Sequence, residues 1–280
     1  MRLNQKVAIV TGSTRGVGAE IARRYAREGA RVVVTGRTSQ RGQAVVEEIR
    51  AGGGEAVFTP SDLTSEDSVR ELVEATVAAY GRVDILVNNA AATEMIPVGA
   101  KPVGELSTEE FEAGLRVAVY GTFWCAKYAI PRMVETGGGS VVNISSMTAT
   151  RGFPCTPAYA ASKGAVNALS RQMAADYGLH GVRVNTIIIG LVITELSAGV
   201  AGTPELARGT IGLQFVPRLG ECQDVAHLAV YLGSDESTFI TASEMTVDGG
   251  STMKGPMLAA SFELGTQMAG QGSRAGDPPA

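Results

Sequence analysis

A tyrosine and a lysine four residues apart are the side chains of this sequence best suited to acid–base chemistry. Tyr159 and Lys163 lie in a segment predicted to be a helix, residues 158–177, where a spacing of four places both on one face. Among the seven tyrosines, only Tyr159 has a lysine at that offset. Because a nearby ammonium group favours the phenolate form, the pair is a candidate proton donor and acceptor. Just upstream, a predicted strand at residues 141–145 ends beside Ser146.

Strands and helices alternate along the chain up to about residue 252. Short apolar runs predict seven buried strands, at residues 6–11, 31–35, 56–59, 83–89, 141–145, 182–189 and 244–247. Amphipathic segments and capping residues predict helices at residues 16–28, 39–50, 65–80, 107–135, 158–177 and 224–232. This order predicts one doubly wound α/β domain over residues 1–253, with a mostly parallel seven-stranded sheet and helices on both faces.

Three segments do not fit the alternation. Residues 90–106 and 191–218 are predicted to be irregular loops, and loops of this length inside a compact domain usually bind ligands. Residues 254–280 are rich in glycine, alanine and serine, and they are predicted to form a partly disordered C-terminal tail.

The composition argues against several classes of function. The 280 residues are 45% hydrophobic, enough for a sizeable core, and the net charge of −4 disfavours nucleic acid or an anionic membrane as a partner. The three cysteines form no CxxC pair and the two histidines show no metal-ligand spacing, so neither a disulfide framework nor a metal site is expected. The N-terminus lacks a signal-peptide apolar stretch, and no run approaches about 18 apolar residues, so a cytoplasmic protein is expected.

A glycine-rich turn joins the first predicted strand to the first predicted helix. Its glycines permit a tight turn and a close approach of the backbone to a pyrophosphate, which the positive end of the helix attracts. A glycine trio alone is a weak signal, but this one lies between a strand and a helix, as a dinucleotide site requires. The alternative is an ordinary strand–helix connection. The candidate cofactor-binding residues of the turn are Gly12, Ser13, Thr14, Arg15, Gly16, Val17 and Gly18.

The end of the second predicted strand bears on the choice between NAD and NADP. A site for NAD usually has an acidic residue about twenty positions beyond the glycines, where it binds the ribose 2′-hydroxyl. Here Gly36 stands eighteen residues after Gly18, and Arg37 follows it. Arg37, together with Arg15, could hold a 2′-phosphate through paired hydrogen bonds, so NADP is the predicted cofactor and NAD the second choice. The alternative is that both arginines are solvated surface groups.

Together these residues give the chain a resemblance to the short-chain dehydrogenase/reductase family, in its compact single-domain branch. The match runs over residues 3–253, and its markers are residues 11–18, Asp62-Leu63-Thr64, Asn88-Asn89-Ala90, Ser146, Tyr159 with Lys163, Val184-Asn185 and Asp248-Gly249-Gly250. The resemblance implies a Rossmann-like fold and an NAD(P)-dependent interconversion of a ketone and a secondary alcohol. It also implies a homodimer or homotetramer formed through the helices at residues 107–135 and 158–177.

The resemblance further implies roles for individual residues. Tyr159 would protonate the developing alkoxide, and Ser146, thirteen residues upstream, would hydrogen-bond the same oxygen, with Ser145 as the rival. Lys163 would hold the nicotinamide ribose together with Tyr159. A free phenol titrates at about 10, so Lys163 and the oxidised nicotinamide are expected to lower the pKa of Tyr159. Asp62 and Leu63 would flank the adenine, and Asn89 and Ala90 would pass the adenosine ribose. Val192 and Thr194 would contact the carboxamide.

Two positions depart from the family pattern. Ala118 stands where many members carry an asparagine that helps hold a water, through which the lysine exchanges protons with solvent. The alanine side chain forms no hydrogen bond, so backbone carbonyls or Tyr120 could take over that role, or proton transfer could be slower. The Pro-Gly pair that the family carries after the sixth strand is Ile189-Gly190 here.

The substrate end is predicted to be apolar. An apolar or alicyclic ketone or secondary alcohol is therefore expected, unless the apolar residues there are ordinary core. An NADP-binding regulator with little or no turnover is the alternative function, motivated by Ala118; a dehydratase or epimerase with a similar Tyr/Lys pair fits less well. The segments that leave the carboxyl ends of the strands offer Met95, Ile96, Met147, Phe153, Leu191, Leu196, Leu213 and Phe215.

Overall fold

Seven parallel strands form the central sheet of the computed structural model, which describes residues 1–91 and 101–254. The strands are β1 (Val7–Val10), β2 (Arg31–Gly36), β3 (Glu55–Pro60), β4 (Ile85–Asn88), β5 (Gly139–Ser146), β6 (Val182–Ile189) and, after the short β7 (Val192–Ile193) and β8 (Gly220–Glu221), β9 (Glu244–Val247). Their order in the sheet is β3-β2-β1-β4-β5-β6-β9. The strand order reverses between β1 and β4, and ligands of such sheets bind outside the carboxyl ends of the strands at that point.

Helices cover both faces of this sheet. They are α1 (Gly16–Arg27), α2 (Ser39–Ala51), α3 (Glu66–Tyr80), α4 (Thr108–Leu115), α5 (Gly121–Glu135), α6 (Pro157–Tyr177), α7 (Ala198–Gly202), α8 (Pro204–Gly212) and α9 (Cys222–Gly233). One core packs α1, α2 and α9 against the sheet, and the other packs α3, α5 and α6 against the opposite face. In β1, Ala8 and Val10 belong to the first core and Ile9 to the second. Burial on both faces explains why these strands are continuous apolar runs.

Capping residues fix where several helices begin. At α3, the Ser65 side chain accepts a hydrogen bond from the Ser68 N–H, and two acidic residues occupy the first turn, where the helix dipole favours them. At α4, Ser107 and Glu110 form a capping box. The doubly wound, seven-stranded parallel fold predicted from the sequence is therefore confirmed.

Two segments differ from the prediction. The single helix predicted over residues 107–135 is interrupted by a π-helical turn, Arg116–Tyr120, between α4 and α5. A π turn adds one residue to a helical turn, and the glycines on either side of it both meet close neighbours. A Cβ on Gly114 would lie 2.7 Å from Ala158 Cβ, and one on Gly121 would lie 3.0 Å from Leu63 Cβ.

The loop predicted over residues 191–218 contains regular structure instead. β7 at its start pairs with β8, and α7 and α8 lie between these two strands. Pro204 occupies the first turn of α8, where its missing N–H costs nothing. Residues 92–100 of the first predicted loop, with Met95 and Ile96, lie outside the described residues, as does the predicted tail from residue 255 onwards.

Candidate active site

The turn between β1 and α1 requires glycine for both conformation and space. Gly12 and Gly16 have φ angles of +62° and +55°, in the left-handed region that disfavours other residues. At Gly18 the constraint is space, because a Cβ there would lie 2.4 Å from Asn89 Nδ2 and 2.5 Å from the Gly12 carbonyl oxygen. The backbone of the turn therefore approaches its surroundings as closely as a bound phosphate chain demands.

Side chains that point away from the solvent hold this turn in place. Asn89 Nδ2 donates to the carbonyl oxygens of Thr11 at 2.9 Å and Gly12 at 3.2 Å. The Thr11 hydroxyl accepts the backbone N–H groups of Asn89 and Ala90. Ser13 is fully buried, with its hydroxyl donating to the Val10 carbonyl at 2.6 Å and accepting the Thr35 N–H. Thr11 and Ser13 are thus part of the frame that positions the turn.

The N-terminus of α1 faces the same turn without a capping side chain. Arg15 is its N-cap residue, makes no side-chain cap hydrogen bond, and is followed by no acidic residue in the first turn. The free N–H groups of a helix start carry partial positive charge and attract anions. This end of α1 is accordingly suited to a pyrophosphate.

A cavity of about 1060 Å³ extends from this turn to the beginning of α6, where Tyr159 and Lys163 line it. It is at the upper end of the roughly 300–1,000 Å³ usual for small-molecule sites, as a dinucleotide requires. Among the described residues, Ser13, Gly18 and Ser146 were predicted as site residues but do not line it. The predicted residues that do line it are Gly12, Thr14, Arg15, Gly16, Val17, Arg37, Asp62, Leu63, Asn89, Ala90, Tyr159, Lys163, Val192 and Thr194.

Positive charge dominates the wall of the cavity, although the whole chain is net negative. Its charged lining residues are the cations Arg15, Arg37, Arg41, Arg116 and Lys163 and the carboxylates Asp62 and Glu195. Sequence reasoning did not include Arg41, Arg116 and Glu195 among the cofactor-binding residues. The position of Arg41 in the first turn of the predicted second helix, four residues after Arg37, was a usable signal for the first of these.

Asp62 is held in place at the end of the cavity where the adenine is expected. Its carboxylate accepts the Thr64 N–H at 2.9 Å and the Thr64 hydroxyl at 2.8 Å. These hydrogen bonds, together with the charge of Arg37, keep the pKa of Asp62 below its usual value. Arg116 donates to the Thr64 carbonyl at 3.4 Å, which brings the π-helical turn to the same end.

The three residues predicted to be catalytic come together where β5 ends and α6 begins. The Ser146 hydroxyl lies close enough to the Tyr159 phenol to lower its pKa, and it accepts the Thr148 N–H at 3.2 Å. The Ser145 hydroxyl instead donates to the Lys163 carbonyl at 3.4 Å, although Ser145 lines the cavity. Of the two serines, Ser146 therefore has the contact that the predicted role needs.

Lys163 is almost fully buried beneath the tyrosine. Its side chain is 3% exposed, and Nζ donates to the Ile144 carbonyl at 2.7 Å. Nζ lies over the Tyr159 ring, 5.8 Å from its centroid. Burial lowers the pKa of Lys163 to about 8.

The protein groups around Tyr159 shift its pKa in the direction opposite to the one predicted. Burial raises the pKa of the phenol, and the hydrogen bond with Ser146 lowers it by a smaller amount. Lys163 was expected to lower this pKa, but its ammonium group is engaged by Ile144 and is itself destabilised by burial. Ala118 lies 1% exposed in the π-helical turn and replaces the usual asparagine with a methyl group.

Comparison with known proteins identifies the family of this chain. A model of one branch of the short-chain dehydrogenases, described as enoyl-(acyl carrier protein) reductase, matches residues 12–252. The chain belongs to the short-chain dehydrogenase/reductase family. The resemblance inferred from the sequence is thereby confirmed, and the protein is an oxidoreductase with an NAD(P)-binding Rossmann fold.

Relatives in the family act on different alcohols. The NADP-dependent (R)-specific alcohol dehydrogenase of Lentilactobacillus kefiri is 39% identical over 90% of this chain and 98% of its own. The 2,5-dichloro-2,5-cyclohexadiene-1,4-diol dehydrogenase of Sphingobium indicum is 38% identical over 89% and 98%. A 7α-hydroxysteroid dehydrogenase, solved in complex with NADH and 7-oxo glycochenodeoxycholic acid, superposes with a TM-score of 0.83 at 35% identity, over 89% of this chain and 95% of its own.

Two further observations concern the described residues only. Within residues 1–91 and 101–254, no helix is long and apolar enough to cross a membrane. The same residues contain no group of three or more histidine, cysteine, aspartate or glutamate side chains that could hold a metal ion.

Proposed function

We propose that this protein is an NADP-preferring dehydrogenase/reductase that interconverts a secondary alcohol and a ketone, with one domain over residues 1–253 carrying both cofactor and catalytic sites. The observation that carries the proposal is the junction of β5 and α6. There Ser146 stands next to the Tyr159 phenol and lowers its pKa, and buried Lys163 Nζ lies over the tyrosine ring at 5.8 Å from its centroid. Tyr159 and Lys163 line the same cavity as the glycine-rich turn, so the acid–base pair faces the cofactor site.

The preference for NADP rests on the charge at the adenosine end of the cavity. β2 ends at Gly36, and Arg37 follows it where a site for NAD usually has an acidic residue. Arg15, Arg37 and Arg41 line the cavity, and guanidinium groups bind phosphate with paired hydrogen bonds. The glycine-rich turn, in which a Cβ on Gly18 would collide with the Gly12 carbonyl, fits a pyrophosphate. NAD is the second choice.

In this proposal Tyr159 moves the proton at the substrate oxygen. The bound nicotinamide supplies or accepts the hydride at the carbon. Ser146 donates a hydrogen bond to the same oxygen and, through its contact with Tyr159, orients the phenol. Lys163 holds its charge close to the ring, and the Ile144 carbonyl fixes the direction of the ammonium group. Burial alone raises the pKa of Tyr159, which favours the protonated acid needed for ketone reduction.

The proposed substrate is an apolar or alicyclic ketone or alcohol. Leu196, Leu213 and Phe215 in the segment between β7 and β8, and Phe153 after β5, are 40–69% exposed although they are large apolar side chains. Of these four, Leu196 lines the large cavity, where it could contact an apolar substrate. Relatives named for a cyclohexadiene-diol and a hydroxysteroid support an alicyclic substrate. For the assembly we propose a homodimer or homotetramer through residues 107–135 and 158–177, where Tyr120 of the π-helical turn and Phe123 of α5 are about half exposed.

The test is a turnover assay over a panel of ketones and alcohols, followed by nicotinamide absorbance with NADP(H) and NAD(H) in parallel. We expect turnover of cyclic or apolar ketones with NADPH, and weaker turnover with NADH. Tight NADP binding without turnover of any substrate would favour the alternative, a cofactor-binding regulator. Activity confined to strongly anionic substrates would contradict the substrate class. Light scattering of the purified chain measures the assembly.

A further inference from the structure

A glutamate after β7 lies against the start of α1. Gly16 is the first residue of α1, and a Cβ built on it would lie 3.3 Å from Thr194 Cγ2 and 3.6 Å from Glu195 Oε2. Both side chains line the large cavity. The carboxylate therefore stands beside the uncapped helix start that suits a pyrophosphate.

The Ser197 hydroxyl holds the turn that carries this carboxylate. Ser197 accepts the Thr194 N–H at 2.9 Å and donates to the Val192 carbonyl at 3.0 Å, which closes a turn around Glu195. Within the described part of the chain, no hydrogen bond or ion pair engages the Glu195 carboxylate. Glu195, Glu20 and Arg23 all act on the thiol of Cys222 at the start of α9, so charge of both signs lies near Glu195.

We infer that Glu195 competes with the pyrophosphate of the dinucleotide for the N-terminus of α1, and so couples cofactor binding to the position of residues 192–197. The inference rests on the proposed function, because it assumes that the cavity holds a dinucleotide. Two anions cannot share one helix start without repulsion. Binding of the cofactor therefore displaces the carboxylate, and the turn closed by Ser197 moves with it.

The displacement reaches the substrate end because of the order of the chain. Glu195 is followed directly by the exposed Leu196 and then by α7 and α8. Leu206 is exposed on α8, and the exposed Leu213 comes directly after that helix. A shift of the turn at Thr194 moves the beginning of this helical pair. Glu195 is thus a positioning residue, whose charge links the occupied cofactor site to the apolar segment proposed for the substrate.

The experiment compares wild type, Glu195→Gln and Glu195→Asp in the full chain, with the binding of three ligands measured by calorimetry. NADP and adenosine 5′-diphosphate carry a pyrophosphate, whereas adenosine 2′-monophosphate lacks one. We expect Glu195→Gln to tighten binding of the first two about twofold to tenfold and to leave the third unchanged. Glu195→Asp keeps the charge but moves it away from the helix start. Its affinities for NADP and adenosine 5′-diphosphate should therefore lie between those of the wild type and Glu195→Gln. The control is Glu205→Gln on α8, which removes an equal charge from a residue outside the cavity lining.

Two outcomes decide the inference. If Glu195→Gln binds NADP as the wild type does or more weakly, while its thermal unfolding is unchanged, the competition does not exist. If all three ligands, or the Glu205→Gln control, change equally, the effect is one of net charge and the inference is equally overturned. A wild-type chain that binds neither NADP nor NAD contradicts the proposed function instead. Hydrogen exchange over residues 192–212 with and without NADP gives a second readout, and Glu195→Gln should reduce the change that NADP produces.

Discussion

Replacing Gly18 by alanine tests how tightly the cofactor turn is built. The new Cβ would lie 2.4 Å from Asn89 Nδ2 and 2.5 Å from the Gly12 carbonyl oxygen. The first neighbour cannot simply rotate away, because the same Nδ2 donates to the Thr11 and Gly12 carbonyls. The second neighbour is backbone in the turn itself. Gly18→Ala must therefore shift the turn or break the hydrogen bonds of Asn89.

The magnitude follows from these two consequences. Forcing an extra carbon into a filled site costs about 1–3 kcal/mol, and each hydrogen bond of Asn89 that is lost costs about 0.5–1.5 kcal/mol. We expect the free energy of unfolding to fall by about 2–4 kcal/mol. At about 2–4 °C per kcal/mol for a domain slightly smaller than this one, the melting temperature falls by roughly 4–16 °C. NADP binding weakens as well, because the displaced Gly12 belongs to the proposed pyrophosphate site.

Chemical and thermal unfolding measure the first effect, and calorimetry with NADP measures the second. The control is Gly209→Ala on α8, where a Cβ would meet nothing within 4 Å. Alanine there should stabilise by about 0.5–1 kcal/mol, since glycine is unfavourable in a helix. If Gly18→Ala unfolds like the wild type and binds NADP equally well, the close packing described for this turn is wrong.

Three further predictions concern the site. Tyr159→Phe should lower turnover by about 10²–10⁴-fold, the usual contribution of an acid–base group, while the Kd of NADP stays the same. Normal turnover of this variant would contradict the proposed role of Tyr159. Arg37→Asp should weaken NADP relative to NAD by about 10- to 150-fold, from roughly 1.5–3 kcal/mol for a charged hydrogen bond; an unchanged ratio of the two Kd values would contradict the cofactor assignment. Burial lowers the pKa of Lys163 from 10.5 to about 8, so the unfolded chain binds that proton more tightly. The free energy of unfolding should therefore rise between about pH 8 and 10.5, by roughly 3 kcal/mol in total. Lys163→Met should lack this rise, and parallel pH profiles of the two proteins would show that the lysine is not buried in this way.

Much of the fold was predictable because its signals are local. The apolar runs of the strands and the cap of α3 lie in short windows, and the predicted strands at residues 182–189 and 244–247 match β6 and β9 residue for residue. The π-helical turn at Arg116–Tyr120 has no such signal, since it depends on where Gly114 and Gly121 meet Ala158 and Leu63. α7 and α8 were missed because they are short and because Gly199, Gly202, Pro204, Gly209 and Gly212 are residues typical of loops.

The candidate site, like the fold, has features that the sequence predicted and features that it did not. The glycines of the turn and the Tyr159–Lys163 spacing are sequence patterns with a mechanical meaning, and they were predicted. The contact of Glu195 with Gly16 was not predicted, because it forms only after the sheet brings together segments far apart in sequence. The direction of the pKa shift at Tyr159 was wrong for a related reason. Spacing placed Lys163 on the right face of the helix, but whether its ammonium group reaches the phenol depends on the Ile144 carbonyl.

The position of Tyr120 bears on how Lys163 exchanges its proton with solvent when Ala118 stands where many family members have an asparagine. Of the two substitutes suggested by the sequence, Tyr120 is half exposed, and its ring packs against Trp124 at 5.6 Å between centroids. The Arg116 guanidinium lies over the same ring at 6.0 Å. The phenol of Tyr120 is thus engaged at the surface, whereas Lys163 is buried against β5. The two alternatives that remain are a water held by backbone carbonyls and a slower proton transfer from Lys163.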